Sequence, residues 1–306
     1  MYTNKFLVFA PESLSHALWT LAALKSLKRT YPQAHITLIA EKKQQQLFSA
    51  STEIGTLILT PSWIPLPIKV WWLLKKEKKI TVLSFQKLSF WIKKHLTHLN
   101  IFFLEQESTT LLQTLKLTEK VGVKHALFYL ELPPSLTHFP QNAPMESNVP
   151  YIPQFALAPF PVNSQKEIAQ WPPSFFHELG QRLIDHFGCT LWIVGEETHQ
   201  EEGNQMSRLI SGSSFYPLSS SLKENACFLT KIDLLISLNQ DVMTLALALR
   251  VPVLALLNHT LQDRWTALFP GNIFLQAPQT CFPCLGNKCL NSFCMKGIEV
   301  DKVFEK

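Results

Sequence analysis

The chain has 306 residues, of which 46% are hydrophobic and 17% charged, and a formal net charge of +5. This composition excludes intrinsic disorder, which needs low hydrophobicity and high charge, and the length suits two domains of about 150 residues each. The opening apolar run, Phe6 to Ala10, is five residues long, and no uninterrupted stretch approaches the ~20 residues of a spanning helix.

Taken in chain order, Lys5 to Ala10 is predicted as a strand, Ala17 to Tyr31 as an amphipathic helix stopped by Pro32, and His35 to Ala40 as a second strand. This is a βαβ unit that starts a parallel sheet. Thr56 to Leu59, Thr81 to Phe85 and Asn100 to Leu104 follow as strands, with Thr109 to Leu117 as a helix. The passage containing Pro133, Pro134, Pro140, Pro144, Pro150 and Pro153 reads as a linker, about 133–153. Alternation then resumes, with strands at Phe155 to Ala158, Thr190 to Val194, Leu234 to Leu238 and Val253 to Leu257. The intervening helices are Ser174 to Phe187, Glu201 to Leu209, Leu222 to Leu229 and Met243 to Leu249. The expected fold is therefore α/β, with two doubly wound, Rossmann-like domains at 1–150 and 151–285 and a cysteine-rich tail at 286–306 packing back. In such domains ligands sit at the carboxyl ends of strands, so a cleft between the two is the expected site.

Between Trp63 and Lys94 there are eight lysines, among them Lys69, Lys75 and Lys76, against one acid, Glu77. Trp63, Trp71, Trp72, Phe85, Phe90 and Trp91 are interleaved with them. Lysines attract anionic head groups and tryptophans favour an interface, so the stretch suits an anionic membrane surface or a phosphorylated lipid. A solvated lysine face over a core helix accounts for the same pattern. Four cysteines, Cys281, Cys284, Cys289 and Cys294, are spaced to close a tetrahedral zinc site. Packed thiols are the alternative, and a nucleic-acid-binding knuckle would leave the rest of the chain without a role. Cys189 and Cys227 lie in apolar surroundings and read as core. After the strand at 190–194, Glu197 stands where a carboxylate accepts hydrogen bonds from a ribose, although Glu196 and Glu197 equally suit the start of the next helix.

Four segments, in order along the chain, resemble glycosyltransferase family 9, the ADP-heptose:lipopolysaccharide heptosyltransferases. They are KFLVFAPESLSHALWTLAALKSLKRTYPQAHITLIAE, FALAPFPVNSQKEIAQWPPSFFHEL, CFLTKIDLLISLNQDVMTLALALRVPVLALLN and the tail CFPCLGNKCLNSFCMKGIEVDKV. The resemblance implies a GT-B fold, with an acceptor-binding first domain and a nucleotide-sugar-binding second domain. It also implies transfer of a heptose from ADP-heptose to the inner core of lipopolysaccharide, with inversion and without a catalytic cofactor. A cytoplasmic protein, peripheral to the inner membrane, is expected.

Several family positions are substituted. Where the family carries its general base, this chain has Ser15 and His16; histidine, with an unperturbed pKa of ~6.5, suits that work, and a lone histidine at a helix start also reads as a polar surface residue. Ser15 then belongs with Lys69, Lys75 and Lys76 on the acceptor side. The donor loop reads Pro159-Phe160-Pro161-Val162-Asn163-Ser164, and proline offers no N–H to a phosphate. Asn163 and Ser164 remain as polar donors. Ala169 replaces the family's lysine, with Lys166 the nearest cation. The family's Asp-x-Gly-x-x-His becomes Asn239-x-Asp241-x-x-Thr244, with Met243 inside it, and Asp241 adds negative charge where a diphosphate would approach. These departures motivate a second expectation, a catalytically silent homologue that binds lipid or a partner protein.

Overall fold

A computed structural model describes residues 5–11, 13–60, 81–84, 100–103, 151–161, 170–257, 269–278 and 293–306. The chain divides into two compact units, Met1–Leu136 and Thr137–Lys306. Each is built on its own parallel sheet.

In the first unit the strands are β1 (Lys5–Phe9), β2 (His35–Glu41), β3 (Thr56–Thr60), β4 (Thr81–Ser84) and β5 (Asn100–Phe103), ordered β3-β2-β1-β4-β5. β1 is central and buried, with Phe6 facing Ile36 and Val8 facing Leu38 in register. Helix α1 (Leu14–Thr30) is buried at every position from Ala17 to Leu24, so it runs through the core on all its faces rather than presenting the single apolar stripe of an amphipathic helix. A short 3₁₀ turn (Lys42–Gln44) and α2 (Gln45–Ser49) lead from β2 toward β3.

Among the described residues the second unit has six strands: β6 (Gln154–Ala158), β7 (Thr190–Glu196), β8 (Ser213–Leu218), β9 (Leu234–Ser237), β10 (Val253–Leu257) and β11 (Ile273–Gln276). Their order, β11-β10-β9-β6-β7-β8, reverses between β6 and β9. That reversal is a topological switch point, where open α/β sheets leave a crevice at the carboxyl ends of their strands. The helices are α3 (Pro173–Phe187), α4 (Gln200–Leu209), α5 (Leu222–Leu229), α6 (Gln240–Ala248), α7 (Phe293–Lys296) and α8 (Val300–Phe304).

α3 shows how local sequence sets these elements. Pro173 opens it at a position whose N–H has no partner in any helix, and Gly188 ends it at φ 58, the left-handed conformation that glycine adopts without strain. Between them Phe176, Leu179, Gly180 and Leu183 form the buried stripe. This stripe packs with Leu191 and Ile193 of β7 in the main core of the unit. The tail belongs to the same core: Cys294, Met295, Ile298, Val300 and Val303 are buried there. Trp171 Nε1 donates to the Ile298 carbonyl at 2.7 Å, and Arg182 bridges to Asp301 at 2.6 Å. The indole bond joins the start of α3 to the last turns of the chain.

Cys189 is buried and Cys227 half-buried, so only the first fits the expectation of core. The expected helix at 109–117 and the proline-rich passage before Pro150 lie outside the described residues. Among the described residues no helix is long and apolar enough to cross a membrane.

Candidate functional site

In the first unit the order of strands reverses between β1 and β4, and the turn after β1 leads into α1. Ser13 caps the helix, its Oγ accepting from the His16 N–H at 3.3 Å and lying 3.3 Å from Ser15 Oγ. Gln44 fixes the turn from the β2 side: its buried Nε2 donates to the Pro11 carbonyl at 2.5 Å, while its Oε1 accepts from the Glu41 N–H at 3.4 Å. His16 thus sits in the first turn of α1, half-buried, on a backbone held from both sides. Ser15 is 2% exposed, so this side chain supports the turn rather than meeting solvent. Of the predicted acceptor residues, Lys69, Lys75 and Lys76 lie outside the described residues.

In the second unit the crevice at the β6/β9 switch point is flanked by the loop after β6, Pro159 to Pro161, and the loop after β9, Leu238 to Asn239. Asn239 joins them. Its Oδ1 accepts from the N–H groups of Asp241 and Val242, at 3.0 and 3.1 Å, and its Nδ2 donates to the Phe160 carbonyl at 2.7 Å. Its own backbone is held by Ser237: the Asn239 N–H donates to Ser237 Oγ and that hydroxyl donates to the Asn239 carbonyl, both at 3.0 Å. Asparagine is among the preferred N-caps because its carboxamide satisfies N–H groups that the helix leaves open. Here the amide also ties the two loops that a ligand at the switch point must approach.

This capping changes what the start of α6 offers an anion. A helix N-terminus attracts phosphate through its open N–H groups. Two of these, on Asp241 and Val242, already bond to Asn239. Met243 and Thr244 are buried within α6, and the Thr244 hydroxyl donates to the Gln240 carbonyl at 2.7 Å. Asp241 is half-buried at the helix start. The predicted donor residues Asn163, Ser164 and Lys166 lie outside the described residues.

β7 ends at Glu196, and Glu197 opens a 3₁₀ turn (Glu197–His199) that leads into α4. Glu197 is exposed, Glu196 half-buried and His199 buried. The His199 ring stacks on Phe160, with centroids 4.7 Å apart and planes 6° from parallel. Neither residue's partner was legible from the sequence. The one signal was Gly195 at the end of a strand, a residue type that marks close approach of another group. An added Cβ there would stand 2.6 Å from Phe160 Cδ2. Of the predicted zinc ligands, Cys281, Cys284 and Cys289 lie outside the described residues, and Cys294 is buried in the apolar core. Among the described residues no group of three or more histidines, cysteines and acids is placed to hold a metal.

Comparison with solved structures returns the same architecture along nearly the whole chain. The structure of E. coli ADP-heptose lps heptosyltransferase II is similar with a TM-score of 0.66 at 17% identity, covering 98% of this chain and 96% of that one. Glycosyl transferase family 9 from Veillonella parvula gives 0.69 at 14%, covering 99% and 96%. E. coli heptosyltransferase WaaC with ADP gives 0.64 at 18%, covering 98% of each. At these identities the likeness shows the fold, which is GT-B-like. No curated protein matches the sequence. The model of "Glycosyltransferase family 9 (heptosyltransferase)" matches residues 140–294, half of the chain, and that stretch contains the switch point, its capped helix and the strand carrying Glu196. This chain belongs to glycosyltransferase family 9, the heptosyltransferase family.

Proposed function

We propose that the chain transfers a heptose, or a related sugar, from an ADP-sugar to the inner core of lipopolysaccharide. The observation that carries this reading is the Asn239 bridge at the β6/β9 switch point, inside the family-matched region, which sets two loops in fixed register where a nucleotide binds in this fold. In this reading residues 151–285 hold the donor and residues 1–150 the acceptor. Glu197, exposed at the start of the 3₁₀ turn after β7, accepts from the ribose hydroxyls. Asn163, Ser164 and Lys166 bind the diphosphate, Asp241 borders it and Asn239 ties the loops beside it, whereas Met243 and Thr244, buried within α6, support the helix rather than touch the donor. Ser15 shapes the acceptor turn, and Lys69, Lys75 and Lys76 neutralise acceptor phosphates at the surface of the inner membrane.

The reaction is a single displacement. An acceptor hydroxyl oxygen attacks the anomeric carbon, the bond from that carbon to the ADP oxygen breaks, and the hydroxyl proton passes to His16. Inversion follows from attack opposite the leaving group. No metal or cofactor is assigned to this step, and a zinc held by the cysteines at 281, 284, 289 and 294 would be structural.

A second reading, a homologue without transferase activity, is favoured by one specific observation. The Asp241 and Val242 N–H groups are bonded to Asn239, and Pro159 and Pro161 have none, so the backbone offers a diphosphate few donors. Incubation with ADP-heptose and inner-core lipopolysaccharide, followed by mass spectrometry of the acceptor, separates the two. Addition of one heptose mass supports transfer, and an unchanged acceptor at high enzyme concentration supports the silent homologue.

A further inference from the structure

His199 is 8% exposed, and its Nδ1 is buried with no hydrogen-bond partner among the described residues. Buried polar groups are nearly always bonded, so an orphaned ring nitrogen calls for a reason. Its surroundings supply one. Phe160 covers the imidazole face to face, Phe215 meets Phe160 edge-on at 6.5 Å and 83°, and Gly195 leaves room for the phenyl ring on the strand side. The phenyl ring therefore fills a flat slot at the carboxyl end of β7, and Glu196 and Glu197 follow Gly195 directly.

That slot has the dimensions of a planar aromatic ring, because one already lies in it. Its occupant comes from the loop that a nucleotide must approach at the switch point. The Phe160 backbone is held by Asn239 and flanked by two prolines, so the ring leaves by side-chain rotation while the loop stays in place. We infer that Phe160 is an internal competitor for the nucleobase of the donor: the base binds by displacing the phenyl ring and taking its place against His199. The inference rests on the proposed nucleotide site. Nδ1, which bonds no described residue, lies in the plane of the imidazole, so a base stacked on the ring face leaves it available to a polar group of the ligand or to water.

The test is calorimetric titration of ADP into wild type, Phe160→Ala and Phe160→Leu. An offset-stacked aromatic pair is lost when the wild type opens, so F160A is expected to bind ADP about tenfold more tightly. F160L, which keeps apolar volume without a flat ring, is expected between the two. A second readout needs no variant: the His199 Cε1–H resonance of the wild type should move on saturation with ADP, as the ring current of Phe160 is replaced. If F160A loses its cooperative unfolding transition, F160L and the wild-type resonance decide. Equal or weaker ADP binding by a folded F160A, or a His199 resonance unmoved at saturation, overturns the inference and makes Phe160 a fixed part of the core. ADP binding by neither protein overturns the nucleotide site itself and the inference with it. Binding by F160A alone upholds the competitor and overturns donor use by the wild type.

Discussion

Replacing Asn239 with alanine tests whether this residue holds the switch-point loops together. Its side chain is 3% exposed and makes three hydrogen bonds, two to the first turn of α6 and one to the Phe160 carbonyl. Loss of the cap costs about 1 kcal/mol. Leaving the Phe160 carbonyl without its donor costs about 1–3 kcal/mol more, giving roughly 2–4 kcal/mol in all. Asparagine to aspartate separates the parts. A carboxylate still caps and gains about 0.3–1 kcal/mol from the helix dipole. It cannot donate to Phe160, however, and it faces that carbonyl with a negative charge. The expected order of stability is wild type, then N239D, then N239A. Urea-dependent hydrogen exchange of the β9 and β10 amides reads the stability of the second unit by itself. Exchange at Asp241 and Val242 reads the cap. N239A within about 0.5 kcal/mol of wild type, with unchanged protection of those two amides, would refute the role given to Asn239.

Other perturbations report on separate parts of the account. His16→Ala should lower turnover by ~10²–10⁴-fold while ADP affinity stays within twofold or so, as for loss of a general base; unchanged turnover removes His16 from the reaction. Gly203→Ala places a Cβ inside contact distance of the Phe215 ring, so the ring must shift, and thermal unfolding should show a loss of about 1–3 kcal/mol. Changing Lys75, Lys76, Lys78 and Lys79 to glutamine should weaken sedimentation with anionic vesicles by several kcal/mol at low salt, at about 1 kcal/mol per lysine. Equal pelleting of variant and wild type would return that stretch to a solvated face.

Most of the fold was legible because buried parallel strands read as apolar runs between helical patterns. His35–Glu41, Thr190–Glu196 and Val253–Leu257 lie where that pattern places them. Two strands of the second sheet were missed, β8 and β11, and both are edges. β8 is half-exposed along its length and carries Pro217, which edge strands tolerate and which argues against a strand when read alone. β11 is only four residues long. Helix starts were placed late, at Ala17 for Leu14 and Met243 for Gln240, because Ser13 and Asn239 were not recognised as caps.

The site was legible by position more than by contact. Motif spacing put Asn239, Asp241 and Glu197 shortly after strands; in the structure Asn239 caps α6, Asp241 lies in its first turn and Glu197 opens the 3₁₀ turn that follows β7. It gave no sign that Asn239 would bond Phe160 or that Phe160 would lie on His199, since those contacts join separate loops through the tertiary fold. Gln44, which fixes the turn before His16, left no pattern either, because a buried glutamine looks like a surface one in sequence.

The most direct measurement of the central claim, that the second unit is a nucleotide-sugar site, is calorimetric titration of the wild-type chain with ADP and ADP-heptose. Saturable one-to-one binding of both, weakened by Glu197→Ala, is the predicted result. Absence of heat and of competition at millimolar ligand would contradict it and leave the chain a family 9 fold without a donor.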